Sequence, residues 1–177
     1  LGVHILDSLL WIMGNPRVTA VSAVTFRKLA GEEEGLTTSL AASGAPIGVF
    51  DSGVGGLSGL LAIRDELPAE KLLYVADSGY APYGDRDSDF IAERATKITE
   101  FLLAAGVKAI VVACNTATGV SIAKLRAWCP VPLVAIEPAI KPASVATRSG
   151  TIGVLATSRT LASPSVARLC EAHGNNV

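Results

Sequence analysis

The chain has 177 residues, 50% of them hydrophobic, with 15 Lys and Arg against 16 Asp and Glu for a formal net charge of −1. This balance, with no local Lys/Arg cluster, excludes bulk electrostatic attraction to nucleic acid or to an anionic membrane surface. Three scattered cysteines (Cys114, Cys129, Cys170) and two histidines (His4, His173) give neither a disulfide framework nor a Cys/His metal spacing, and point to a reducing cytoplasm.

No apolar run reaches the roughly 18–20 residues of a membrane span. The opening stretch Leu1–Gly14 is apolar, but it carries Asp7 and lacks a basic n-region, so it does not read as a signal peptide. The first residue is Leu rather than Met, as expected of a cut or a fusion. Residues 31–46 hold an acidic triplet, then small residues, Gly and Pro, and read as a linker. Regular alternation follows. Ile47–Phe50 is an apolar run, and Leu57–Leu67 has helical spacing. Leu72–Ala76 is a second run, and Phe90–Ala104 an amphipathic helix. Ala109–Ala113 is the third run, with a helix over Ala117–Trp128. Leu133–Ile136 and Thr151–Leu155 are the fourth and fifth runs, and Leu161–Ala172 closes the pattern as a helix. Strand–helix alternation at this spacing predicts an α/β fold, a parallel sheet with helices on both faces. Ile47-Gly48-Val49-Phe50-Asp51-Ser52 resembles Ile152-Gly153-Val154-Leu155-Ala156-Thr157. The similarity suggests that residues 47–150 form one domain and that a second, incomplete one starts near residue 151.

Each run ends in polar groups: Asp51-Ser52, Asp77-Ser78, Cys114-Asn115-Thr116, Glu137, and Thr157-Ser158. In an open parallel sheet these ends line one crevice, where ligands bind. Asp51-Ser52-Gly53-Val54-Gly55-Gly56 then reads as a glycine loop whose backbone N–H groups approach an anion at a helix N-terminus. It nearly fits a dinucleotide fingerprint, but a carboxylate at the strand tip would repel a pyrophosphate. A small ligand bearing both ammonium and carboxylate suits it better. Pro82-Tyr83-Gly84 is either a plain turn or part of a loop covering the crevice. Cys114 at a helix start is a candidate nucleophile or proton-transfer base, or else an inert core thiol. The helix dipole should lower its pKa, and a nearby Asp51 should raise it. Cys129 and Cys170 read as structural.

IGVFDSGVGGL, LLYVADSGYAPYGDR, IVVACNTAT, VPLVAIEPAIKPA and TIGVLATSRTLASP, in this order, resemble the bacterial glutamate racemases of the aspartate/glutamate racemase superfamily. The resemblance runs from about Pro46 to the C-terminal end. It implies two similar three-layer α/β domains facing each other across the substrate. It also implies cofactor-independent interconversion of L- and D-glutamate, which supplies D-glutamate for peptidoglycan, and it allows a homodimer. One cysteine stands on each face of the substrate Cα. Carried over by motif, Cys114 is the first of these and Asp51 the acid that orients it or helps deprotonate it. Asp51, Ser52, Tyr83, Gly84, Asn115 and Thr116 match the substrate contacts.

The second cysteine of that family lies in a Cys-Thr-His motif, and this chain contains none. Cys170-Glu171-Ala172-His173 lies in a helical pattern and does not replace it. The expectation is a C-terminally truncated racemase, inactive alone. Residues 1–30 resemble a fragment of the glucose–fructose oxidoreductase-like NAD(P)-dependent dehydrogenases, which would make His4 a relic of their site. Two alternatives stand beside the racemase: an amino-acid-binding fragment without chemistry, and an NAD(P)-dependent oxidoreductase fragment.

Overall fold

The computed structural model describes residues 44–174. The readings of residues 1–30 and of nearly all of the linker lie outside the described residues. The chain runs β1 (Ile47–Asp51), α1 (Leu57–Glu66), β2 (Leu72–Ala76), a 3-10 turn (Ser78–Tyr80), α2 (Ser88–Ala104), β3 (Ala109–Val112), α3 (Asn115–Arg126), β4 (Leu133–Ala135), α4 (Ile140–Ala146), α5 (Ser158–Leu161) and α6 (Pro164–His173).

The four strands form one parallel sheet in the order β2-β1-β3-β4. β1 is central, with Val49 opposite both Tyr74 and Val111. Its five residues are all buried, as a strand covered on both faces requires. Ile47, Val49 and Val111 face one way and pack with Ile63 of α1 and the adjoining Leu67. Phe50, Ile110 and Val112 face the other way, against Ile91, Ile98 and Leu102 of α2 and Leu125 of α3. Alternate residues thus feed two cores, and each large side chain contributes about 1.5–3 kcal/mol of burial. The result is the expected α/β arrangement of helix, sheet and helix layers. At the N-terminal end of the sheet, Lys108 is tucked in with its side chain 3% exposed and pairs with Glu70 at 2.5 Å. Among the described residues no helix is long and apolar enough to cross a membrane.

Three sequence expectations are corrected. Thr151–Leu155 forms no strand and pairs with none among the described residues, and Leu155 is fully exposed. An apolar run becomes a strand only where a neighbour supplies the ladder. The last helix starts at Pro164 rather than Leu161. Ser163 caps it by accepting from the Val166 N–H, and Pro164 sits in the first turn, where no amide is needed. Residues 158–161 instead form α5, capped by the Thr157 hydroxyl. Finally, α4 was not expected. Its Pro142 is the third residue of the helix, still within the turn whose N–H groups have no helical acceptor.

Candidate functional site

Asp51 ends β1 only 6% exposed, and its carboxylate organises the loop that follows. Oδ2 accepts from the Gly53 N–H at 3.2 Å and the Gly56 N–H at 3.0 Å. The Ser52 hydroxyl donates to Oδ1 at 3.4 Å. From β2, the Tyr74 hydroxyl donates to the Gly53 carbonyl at 2.9 Å. Glycine is required at 56, because a Cβ there would stand 2.8 Å from the Asp51 Cβ and 3.0 Å from both the Ala113 Cβ and the Tyr74 hydroxyl. Burial first, then the Asp51 and Cys114 charges, push the Tyr74 phenol up to about 12.

One strand over, Cys114 caps α3, its Sγ accepting from the Ala117 N–H at 3.5 Å. The thiol donates to the Ser52 hydroxyl at 3.5 Å. A chain of contacts therefore runs from Cys114 through Ser52 to Asp51, and no hydrogen bond joins Cys114 to Asp51 directly. Burial pushes the thiol above its ordinary value and Asp51 adds to the rise, while Ser52 and the Ala117 amide pull it back. The net direction is upward, so desolvation outweighs the hydrogen bonds from Ser52 and the Ala117 amide. Beside it, the Asn115 Oδ1 is buried without a hydrogen-bond partner. The Thr116 hydroxyl lies 3.0 Å from that of Thr157 and 3.2 Å from that of Thr160.

These groups line one cavity of about 470 Å³ at the C-terminal ends of β1 and β3. The glycine loop and the start of α1 supply a wall of small residues, Gly55, Gly56, Ser58 and Gly59 among them, and Leu155–Thr157 closes the far side. That segment, and Ser163 after it, pack close against glycines. A Cβ at Gly84 would lie 2.9 Å from the Thr157 Cγ2, and one at Gly119 would lie 2.8 Å from the Ser163 Cβ. The cavity has room for a small amino acid. Its donors and acceptors suit both an ammonium and a carboxylate: Asn115 Oδ1, the hydroxyls of Ser52 and Thr116, and the first-turn amides of α3.

Of the residues singled out in the sequence, Asp51, Ser52, Cys114, Asn115 and Thr116 meet in this cavity. Tyr83 and Gly84 lie outside its lining. Tyr83 is 1% exposed, and its hydroxyl donates to the Asp77 Oδ2 at 2.5 Å. Arg94 of α2 grips the same carboxylate at 2.9 and 2.7 Å and stacks over Tyr80 with its guanidinium 3.8 Å from the ring centre. Burial alone would raise the Asp77 carboxyl, but Arg94 and Tyr83 outweigh it and hold it below the usual range. Asp77 thus anchors the loop 78–86 instead of entering the crevice, and Glu137 is exposed outside it. Sequence reasoning passed over Thr160 and Tyr74. Thr160 sits at helical spacing from Thr157, and Tyr74 lies mid-run in β2, so neither stood at a strand end. Cys129 is half-buried and Cys170 exposed, and neither lines the cavity.

Parallel strands that deliver a thiol, a carboxylate and hydroxyls into one crevice define an α/β protein with a candidate small-molecule site at its strand ends. The chain belongs to the Asp/Glu/Hydantoin racemase family, whose model matches residues 61–177. A glutamate racemase of Pseudomonas paraeruginosa is 56% identical over 139 residues, covering 78% of this chain and 52% of the relative. One from Ectopseudomonas mendocina is 57% identical over 136 residues, 76% of this chain and 52% of the relative. Among solved structures, Escherichia coli glutamate racemase in complex with L-glutamate and the activator UDP-MurNAc-Ala superposes with a TM-score of 0.70 at 39% identity, over 75% of this chain and 50% of that one. Glutamate racemase from Aquifex pyrophilus gives 0.68 at 40% identity, over 75% of this chain and 53% of that one. The chain spans about half the length of the curated relatives it matches.

Proposed function

We propose that this chain carries one half of a glutamate racemase site, with Cys114 as the proton-transfer base for one face of the substrate Cα. The observation that carries the reading is the buried Cys114 thiol, joined through Ser52 to Asp51 inside a cavity of amino-acid size. Asp51, through Ser52, takes the proton from the Cys114 thiol, and the thiolate so formed takes the α-proton and becomes a thiol again. The electron pair left on Cα delocalises into the α-carboxylate, where the α3 amides and the Thr116 hydroxyl stand to donate. The Asn115 Oδ1 accepts from the ammonium. Ser52 turns from accepting the thiol proton to donating to the thiolate, and so stabilises the base form. Inversion then needs a second thiol to protonate the opposite face. The resemblance assigns that group to a Cys-Thr-His motif, which does not occur within residues 1–177, so within these residues Cys114 serves one face of the Cα only. In the complete reaction the product D-glutamate enters peptidoglycan synthesis in the cytoplasm. The division at residue 151 and a homodimer belong to the same proposal.

Calorimetry and polarimetry on this chain test the reading. We expect heat on adding millimolar D- or L-glutamate, weakened in Thr116→Val, and no change of optical rotation. Absence of heat with both enantiomers removes the half-site. Racemisation that Cys114→Ala abolishes removes the requirement for a second thiol.

A further inference from the structure

We propose that Tyr74 is a positioning residue: its hydroxyl braces the Gly53 carbonyl and thereby holds Ser52 in register with the Cys114 thiol. The proposal rests on reading Cys114 as the base. Tyr74 sits in β2, directly opposite Val49 and two residues before the strand's end. Its ring packs on the α1-side core, and its hydroxyl rises beneath the glycine loop to reach Gly53 at 2.9 Å. It is not part of the cavity lining, so it touches no ligand there.

The loop from Ser52 to Gly56 is fixed from two sides. Asp51 takes the Gly53 and Gly56 N–H groups, and Tyr74 supplies the proton to the Gly53 carbonyl. Ser52 is the residue between these anchors. Its hydroxyl meets Cys114 at 3.5 Å and Asp51 at 3.4 Å, both at the long end of useful contact, so a small shift of the loop breaks the chain. A Cβ at Gly56 would stand 3.0 Å from the Tyr74 hydroxyl, so the phenol packs directly against the glycine loop. The titratable groups that face the thiol are Asp51 from β1, Tyr74 from β2 and Tyr83 from the loop 78–86. α3 contributes the Ala117 N–H.

The test is the pH profile of Cys114 alkylation by iodoacetamide, resolved by peptide mass spectrometry, in ligand-free wild type, Tyr74→Phe and Ser52→Ala. Tyr74→Phe keeps the ring and removes only the donor. Ser52→Ala should raise the Cys114 midpoint by about one pH unit, as loss of a hydrogen bond to an anion does. Tyr74→Phe should raise it in the same direction by about half as much, with Cys129 and Cys170 unchanged. Hydrogen exchange supplies a second readout: the Gly53 and Gly56 amides should exchange faster in Tyr74→Phe while those of β3 and α2 do not. A Tyr74→Phe midpoint equal to wild type overturns the proposal, as does no shift in Ser52→Ala. Faster exchange throughout the sheet overturns it too, because Tyr74 would then serve the fold at large. A chain that shows these shifts yet gives no heat with glutamate refutes the racemase reading and leaves the brace standing.

Discussion

Replacing Gly56 by alanine isolates the closeness of the sheet end from every other property of the site. Gly56 has φ −67° and ψ −11°, which alanine adopts freely, so the backbone adds no cost. Space does. The new methyl would stand 2.8 Å from the Asp51 Cβ and 3.0 Å from the Ala113 Cβ, where carbons prefer about 3.5–4.0 Å. Both neighbours belong to strand ends held by the β1–β3 ladder, where the Ala113 N–H bonds the Phe50 carbonyl at 2.8 Å. Neither is a flexible tip that can swing away. Overpacking of this kind costs about 1–3 kcal/mol. With a urea m-value of about 1–3 kcal/mol/M, the unfolding midpoint should fall by about 1 M. Gly53→Ala is the control. Its Cβ meets only the Ala81 Cβ at 3.9 Å, so stability should stay within about 0.5 kcal/mol of wild type. Equal midpoints for wild type, Gly56→Ala and Gly53→Ala would refute the reasoning, because the loop would then be able to move off the strand end.

Arg94→Ala should destabilise the chain by about 3–5 kcal/mol, because it leaves the buried Asp77 carboxylate without its cation; urea denaturation reads this. Asp77 is held below its ordinary pKa, so its contribution is full above about pH 4 and is lost as pH falls through the depressed folded value. Asp77→Asn should therefore be less stable than wild type at pH 7 but lose less stability between about pH 4 and 2. In wild type near neutral pH, iodoacetamide should modify exposed Cys170 first and Cys114 last, since burial keeps that thiol protonated. Lys108→Met keeps the packing but leaves Glu70 unpaired and should lose about 2 kcal/mol, and Lys108→Ala, which adds a void, should lose more; melting temperature reads both.

The cavity was legible because its chemistry sits where periodicity breaks. Cys114-Asn115-Thr116 and Asp51-Ser52 each interrupt an apolar run, and a buried parallel strand must end where its neighbours end. Their positions at the ends of those runs placed them on one rim. Asp77 obeys the same rule yet left the site, because its partners, Arg94 and Tyr83, come from a helix and a loop whose approach no local pattern encodes. The Thr151–Leu155 run has the same alternation as β1, but a strand is a property of a pair, and the described residues hold no partner for it. Pro142 and Pro164 show the reverse case. Each looks like a breaker in sequence, and each occupies a first helical turn, where a missing N–H costs nothing. Tyr74 escaped notice because the informative atom is its hydroxyl. Its ring behaves as any aromatic in a strand, and only the three-dimensional position of Gly53 gives the oxygen a task.

The Asp51 carboxylate has a consequence for how variants at that position are interpreted. One oxygen is committed to two backbone amides and the other to Ser52. Asp51→Ala therefore removes a charge and dismantles a turn in a single step, and any loss it causes mixes two origins. Asp51→Asn keeps one oxygen for the Gly53 and Gly56 amides, removes the charge, and puts an amide donor where the other oxygen accepts from Ser52. The difference between the two variants measures how much of this residue's contribution is architecture and how much is acid–base chemistry.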